Sequence, residues 1–114
     1  MTETDVVRAA FEAYLAQDLP AERALLAEDF RFTSPQDDHI DKAAFLERCF
    51  PTAARLVSQR ILDLVDAGGD GVFIRYEYEL TTGERHRNTE YIRVVDGLMV
   101  ETEVFFGGRV DSPG

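Results

Sequence analysis

The chain shifts once, near Arg55, from helix-like to strand-like residues, and that shift confines it to a helices-then-sheet architecture. Up to Arg55 apolar residues recur mainly every three or four positions, with one short alternating stretch. Beyond it they alternate. Thr2 and Asp5 make a capping box, and Val7, Ala10, Phe11 and Tyr14 follow on one face of a first helix. Pro20 predicts a second, short helix with Ala24, Leu25 and Leu26 as apolar members, because the missing proline N–H is not needed in a first turn. Phe30-Arg31-Phe32-Thr33 then alternates as a short strand stopped by Pro35. Ile40, Asp41 and Phe45 form a hydrophobic staple around an N-cap, and the stripe Phe45, Leu46, Cys49, Phe50 runs until Pro51 ends this third helix.

Strands follow over Val57 to Val65, Val72 to Leu80, Arg85 to Val95 and Leu98 to Phe106, all rich in β-branched and aromatic residues. Gly68-Gly69-Asp70-Gly71, Thr82-Gly83-Glu84 and the hairpin dipeptide Asp96-Gly97 separate them, which predicts an antiparallel meander. Side chains two apart share a face. Val72, Ile74, Tyr76, Tyr78 and Leu80 therefore point to one side, with Phe73, Arg75, Glu77 and Glu79 on the other. On the last strand Leu98, Val100, Thr102, Val104 and Phe106 are expected inward, and Met99, Glu101, Glu103 and Phe105 outward. Arg75, Arg87 and Arg93 can then meet Glu77, Glu101 and Glu103 across the outer face.

Glu90 breaks this order. It shares a face with Ile92 and Val94, so a carboxyl group is aimed at the apolar side. A buried carboxylate gains hydrogen bonds, takes up a proton or lines a wet pocket.

At 114 residues and 45% hydrophobic, the sequence predicts one domain over residues 1–108 and a tail over 109–114. Twelve Lys and Arg against 22 Asp and Glu give a net charge of −10, which argues against nucleic acid and anionic membrane surfaces as partners. The single cysteine, Cys49, allows no intramolecular disulfide. With an acidic N-terminus and no apolar run of membrane-spanning length, the expected location is the cytoplasm.

Three helices with one short strand between them, followed by four long antiparallel strands, resemble the cone-shaped α+β fold of the nuclear transport factor 2 superfamily. Phe32-Thr33-Ser34-Pro35, Asp37-Asp38, Ile40-Asp41, Cys49-Phe50-Pro51, Arg87-Asn88-Thr89-Glu90 and Glu103-Val104-Phe105-Phe106-Gly107 look like a group of small SnoaL-like bacterial proteins. The resemblance implies the order α-α-β-α-β-β-β-β, helices packed on a curved antiparallel sheet, a conical pocket and frequent homodimers. It also implies activities among isomerases, polyketide cyclases, dehydratases and hydrolases, or plain binding. Steroid isomerases of the superfamily carry a carboxylate base before a proline after the first strand; here that position is Ser34. Their oxyanion-stabilising pair is similar to Glu90 with Tyr14 on the first helix.

The candidate catalytic set is Glu90 as acid or oxyanion donor with Tyr14, and Asp38 or His39 as base. The plainer alternative for Glu90 is a structural carboxylate satisfied by Tyr14, Tyr76, Asn88 or water. Phe32, Ile74, Tyr76, Asn88, Thr102 and Val104 are the expected ligand lining. No metal is expected, because no second histidine has ligand spacing to His39, and Asp41 is most simply a helix cap. No cofactor is expected either, since Gly107-Gly108 precedes no helix that would hold a phosphate. The leading expectation is a small, largely apolar ligand in the cone. The competing one is a non-catalytic homodimer formed through the outer face around Arg75, Tyr91, Arg93, Glu101, Glu103 and Phe105.

Overall fold

A computed structural model of the chain describes residues 1–110. Helix α1 spans Glu3–Ala16, and its capping box is formed: the Asp5 N–H donates to Thr2 Oγ1 at 3.2 Å, and the Thr2 N–H to Asp5 Oδ2 at 3.0 Å. Helix α2 covers Leu19–Leu25 with Asp18 as N-cap, so Pro20 lies in its first turn. Strands β1 (Leu26–Ser34) and β2 (Asp37–Asp41) precede helix α3 (Lys42–Arg48), where the Asp41 carboxylate accepts the Ala44 N–H at 2.9 Å. A 3-10 turn over Phe50–Arg55 follows, and then strands β3 (Leu56–Gly68), β4 (Gly71–Leu80), β5 (Arg85–Val95) and β6 (Leu98–Arg109). Pro51 thus opens a tighter turn as well as closing a helix.

The six strands form one sheet in the order β2-β1-β6-β5-β4-β3. The four long strands are the expected meander, and Asp96-Gly97 makes its last hairpin with φ of 52° and 80°. Two features differ from the antiparallel expectation. β1 runs parallel to β6, with Phe32 opposite Thr102, so the sheet is mixed. Its direction is set by the long connection through α3, which leaves no local signal. The stretch after Pro35, for which no strand was expected, is the edge strand β2. It folds back on β1 with Ile40 opposite Phe32. The Ser34 hydroxyl closes that hairpin by accepting the N–H groups of Gln36 at 3.1 Å and Asp37 at 3.2 Å.

The alternation assigned to β6 fails at its start. Arg93 pairs with Glu101 but Val94 with Met99, so Val100 is an extra residue in a β-bulge. The bulge turns Met99 inward to 5% exposure and leaves Leu98 exposed, the reverse of the expectation. Beyond it Thr102 and Val104 are buried as expected. Phe106 keeps the inner register opposite Asn88 yet remains 49% exposed, and the strand continues past its expected end there to Arg109. Residues 111–114 of the expected tail lie outside the described residues.

Helix α1 packs across β3 to β6, while α2 packs on β1 and β6. The core joins Val6, Val7 and Ala10 of α1 to Phe30, Val72, Ile74, Ile92 and Val104 of the sheet. Phe45 of the staple sets its ring 5.2 Å from that of Phe30 and 5.0 Å from that of Phe32, fixing α3 on β1. On the opposite face Arg87 meets Glu77 at 3.0 Å and Arg93 meets Glu101 at 3.8 Å, as expected. Arg75 turns instead to Asp63 at 2.6 Å. No described helix is long and apolar enough to cross a membrane.

Candidate functional site

The register of β4, β5 and β6 builds the inner face in rows. Ile61, Tyr76, Asn88 and Phe106 form one row, and Ile74, Glu90 and Val104 part of the next. Glu90 is thereby fixed between two buried aliphatic side chains, and stays only partly buried itself. The Tyr76 hydroxyl donates to Glu90 Oε2 at 2.5 Å, and Asn88 Nδ2 donates to the same hydroxyl oxygen at 3.4 Å. The Tyr76 ring stands edge-on to Phe11 of α1, 5.0 Å between centroids, which holds its hydroxyl in place.

Burial raises the Glu90 pKa from 4.5 to about 7, against the opposing hydrogen bond from Tyr76. Burial first, and the Glu90 charge second, push the Tyr76 phenol well above 10.0, so it remains a donor. Glu90 is thus an acid poised near neutrality, able to give a proton to an oxygen beside it or to accept one. Replacing Tyr76 by Phe removes the donor that favours the charged form. The Tyr76→Phe variant is expected to raise the Glu90 pKa by roughly one to two pH units, read by NMR titration of its side-chain carbon.

The other expected site residues are placed differently. Tyr14 is bonded to Thr52, not to Glu90, at 2.7 Å. The Thr52 hydroxyl gives its only proton to the Cys49 carbonyl at 2.7 Å, so Tyr14 is the donor. Tyr14 therefore ties α1 to the 3-10 turn, although the Glu90 charge still contributes, after burial, to raising its pKa. Asp38 and His39 pair at 2.6 Å on β2, both exposed, with β1 and β6 between them and Glu90's strand. Phe32, Ile74 and Val104 are core residues of the inner face, and Asn88 is buried at 7% exposure beside Tyr76. Thr102 is 2% exposed with its Oγ1 unpartnered. The Cys49 thiol is pushed by burial up to about 11, far from a thiolate nucleophile.

Glu22 was not anticipated. It is 4% exposed on α2, and burial with the Glu90 charge behind it raises its pKa from 4.5 to about 8. The signal was present: Glu22 stands three residues after Leu19 and three before Leu25, on the helix's apolar stripe. Two surface concavities stand out among the described residues, and Glu90 lines neither. One, of about 880 Å³, lies between α2, β1 and α3 beside Arg23, Arg31 and Lys42; the other, of about 320 Å³, involves Arg60, Glu77 and Arg85. No group of three or more His, Cys, Asp or Glu among the described residues is arranged to hold a metal ion.

Helices packed on one face of a mixed sheet make an α+β fold, and the solved structures that share it place it in the nuclear transport factor 2-like class. Solved structures share the fold. A candidate ketosteroid isomerase from Kribbella flavida has 22% identity and a TM-score of 0.76, covering 98% of this chain and 82% of its own. A candidate polyketide cyclase from Sinorhizobium meliloti has 19% identity and a TM-score of 0.77, over 89% of this chain and 94% of its own. An NTF2-like protein of unknown function from Cytophaga hutchinsonii has 20% identity and a TM-score of 0.74, over 93% and 90%. The SnoaL-like domain model matches residues 7–102, and the chain belongs to that family. No curated protein matches it.

Proposed function

We propose that the chain binds a small, largely apolar molecule against the inner face of its sheet, with Glu90 meeting the ligand's polar group. The supporting observation is the Tyr76–Glu90 pair: a carboxyl group fixed at 2.5 Å, raised to about 7 and still partly open to solvent. Such a group donates a hydrogen bond, or a proton, to a carbonyl oxygen more readily than an ordinary glutamate does. Proton-transfer chemistry next to a carbonyl, as in isomerisation, cyclisation or dehydration, is the corresponding reaction class, and needs no cofactor. Structures of the same fold described as a candidate ketosteroid isomerase and a candidate polyketide cyclase are compatible with it. Because the Asp38–His39 pair stands exposed on β2, the proposal assigns Glu90 the proton donation and leaves that pair outside the site. A cytoplasmic location fits the single free cysteine.

The test is a thermal-shift screen of lipophilic ring compounds, repeated with Glu90→Gln, which keeps shape and removes the acid. A ligand at about 100 times its Kd adds about 2.7 kcal/mol of stability to the wild type. That gain is expected to shrink in the variant. If no compound shifts the wild type, the binding proposal fails.

A second reading has its own observation. Val65, Phe73 and Tyr91 lie in one row across the outer face, with Phe105 diagonal to Tyr91. Val65 is 53%, Phe73 43% and Phe105 48% exposed, and the Phe73 and Tyr91 rings are 4.9 Å apart. An apolar row of this kind suits a homodimer contact. Light scattering decides it: a dimer at micromolar concentration that Phe73→Asp splits supports the interface, and a strict wild-type monomer removes it.

A further inference from the structure

Two buried polar side chains stand behind Glu90 on the inner face. Asn88 and Glu90 are two residues apart on β5 and so share that face, and Tyr76 pairs with Asn88 from β4. The Tyr76 hydroxyl lies between them and has one proton to give. Asn88 Nδ2, which can only donate, approaches the hydroxyl oxygen at 3.4 Å, and the same amide acts as a donor on the Tyr78 hydroxyl. Two phenols thus hold the N–H end of the amide toward Tyr76. Among the described residues the Tyr76 proton then has one acceptor, Glu90 Oε2 at 2.5 Å. Tyr76 is 5% and Asn88 7% exposed, so water competes little for either bond.

The two oxygens of Glu90 therefore differ. Oε2 is taken by the Tyr76 hydroxyl. Oε1 has no partner among the described residues, yet it is not one of the buried unpartnered atoms, which are Glu22 Oε1, Gln59 Oε1 and Thr102 Oγ1. Oε1 thus keeps surface that a ligand can reach. A neutral carboxyl carries its proton on one oxygen only. If that oxygen were Oε2, Glu90 would have to donate to Tyr76, and the Tyr76 O–H, facing an amide N–H, would be left buried without an acceptor. Placed on Oε1, the proton leaves every bond of the chain intact.

We propose that Asn88 is a positioning residue: acting through Tyr76, it fixes the proton of neutral Glu90 on Oε1, the oxygen open to the ligand. This rests on the inner-face binding site proposed above and specifies how that site presents its acid. The ligand group that meets Oε1 is then a hydrogen-bond acceptor, such as a carbonyl oxygen. In proton transfer the Oε1–H bond breaks, an O–H bond forms on the ligand, and the charge left on the carboxylate is met at Oε2 by Tyr76, itself polarised by Asn88. The reverse step returns the proton to Oε1.

Infrared spectra of the free protein at about pH 5, each taken as the difference from the same protein carrying Glu90→Gln, read the carbonyl stretch of neutral Glu90. A carbonyl that accepts a hydrogen bond absorbs at lower frequency than a free one, so Tyr76→Phe is expected to shift the band upward. A band that Tyr76→Phe leaves in place would mean that Glu90 donates to Tyr76, and would overturn the placement of the proton. The part played by Asn88 is read from the Glu90 titration midpoint, followed by NMR in a double-mutant cycle. Asn88→Leu is expected to raise it by about half a pH unit in the wild type and by nothing further in Tyr76→Phe. No rise in the wild type overturns the relay, and so does an equal rise in both backgrounds, which is what a merely structural effect on Glu90 would give. Asn88→Ala, smaller than the native side chain, serves the cycle if leucine is not accommodated. Neither reading needs a ligand: if the thermal-shift screen finds none, the binding proposal falls, while the placement of the proton stands or falls on the spectra.

Discussion

Between about pH 5 and about pH 9 the protein is expected to lose much of its folding stability, and Glu22→Leu is expected to restore most of it. Glu22 titrates at 4.5 when unperturbed and at about 8 in the folded chain. Across that window the folded state keeps a proton that the unfolded chain has released. The unfolded state therefore gains as pH rises: the stabilisation is fully present below about 4.5 and lost as pH climbs through about 8. At about 1.4 kcal/mol per pH unit the Glu22 shift corresponds to a loss on the order of 5 kcal/mol. Glu90, raised from 4.5 to about 7, acts in the same direction over the lower part of the window. The two acids repel each other, so their effects do not simply add. A loss of this size is a large fraction of the stability of a typical domain, about 5–15 kcal/mol. Leucine restores the apolar stripe between Leu19 and Leu25 and removes the titrating group. Urea midpoints measured across the range are expected to fall for the wild type and to flatten in Glu22→Leu. A wild-type midpoint that does not change between about pH 5 and about pH 9 would falsify the burial assigned to Glu22.

Phe30→Ala is expected to be the most damaging single truncation, at about 3–5 kcal/mol. Phe30 is fully buried, and its ring meets Phe45 at 5.2 Å, so it joins the sheet to α3 as well as filling the core. Losing it leaves a cavity and releases the staple that orients α3. Val57, on β3 at 62% exposure, is the control: Val57→Ala should change stability by no more than about 0.5 kcal/mol. Chemical denaturation of both variants at one pH separates the two. Equal, small effects would show that the core is not centred on Phe30.

Strand β5 was legible to its ends, because Arg85–Val95 lies between clear turn signals. The caps at Thr2 and Asp41 were legible too, since a cap acts within three residues. What escaped has a common physical cause. β2 is acidic and poor in strand formers, and is a strand only because β1 offers it an open edge. The bulge at Val100 depends on how two strands meet, so single-strand alternation assigned Leu98 and Met99 to the wrong faces. The parallel β1–β6 pair depends on a connection through α3 and the four strands β2 to β5. At the site, Glu90 was legible as an interrupted alternation. Its partner was not, because the choice between Tyr14 and Tyr76 turned on the Thr52 hydroxyl, 38 residues from Tyr14 along the chain. Glu22 is the same kind of interruption in helical period, less visible in a helix of seven residues.

Glu90 is the centre of the proposed site, and its protonation is the property on which the proposed binding and chemistry depend. Titration of the Glu90 side-chain carboxyl carbon by NMR, assigned through Glu90→Gln, measures it directly. The predicted midpoint is about 7, displaced upward from 4.5 by burial between Ile74 and Val104. A midpoint near 4.5 would mean an ordinary solvated glutamate, and would contradict the assignment of Glu90 as the acid of the inner face.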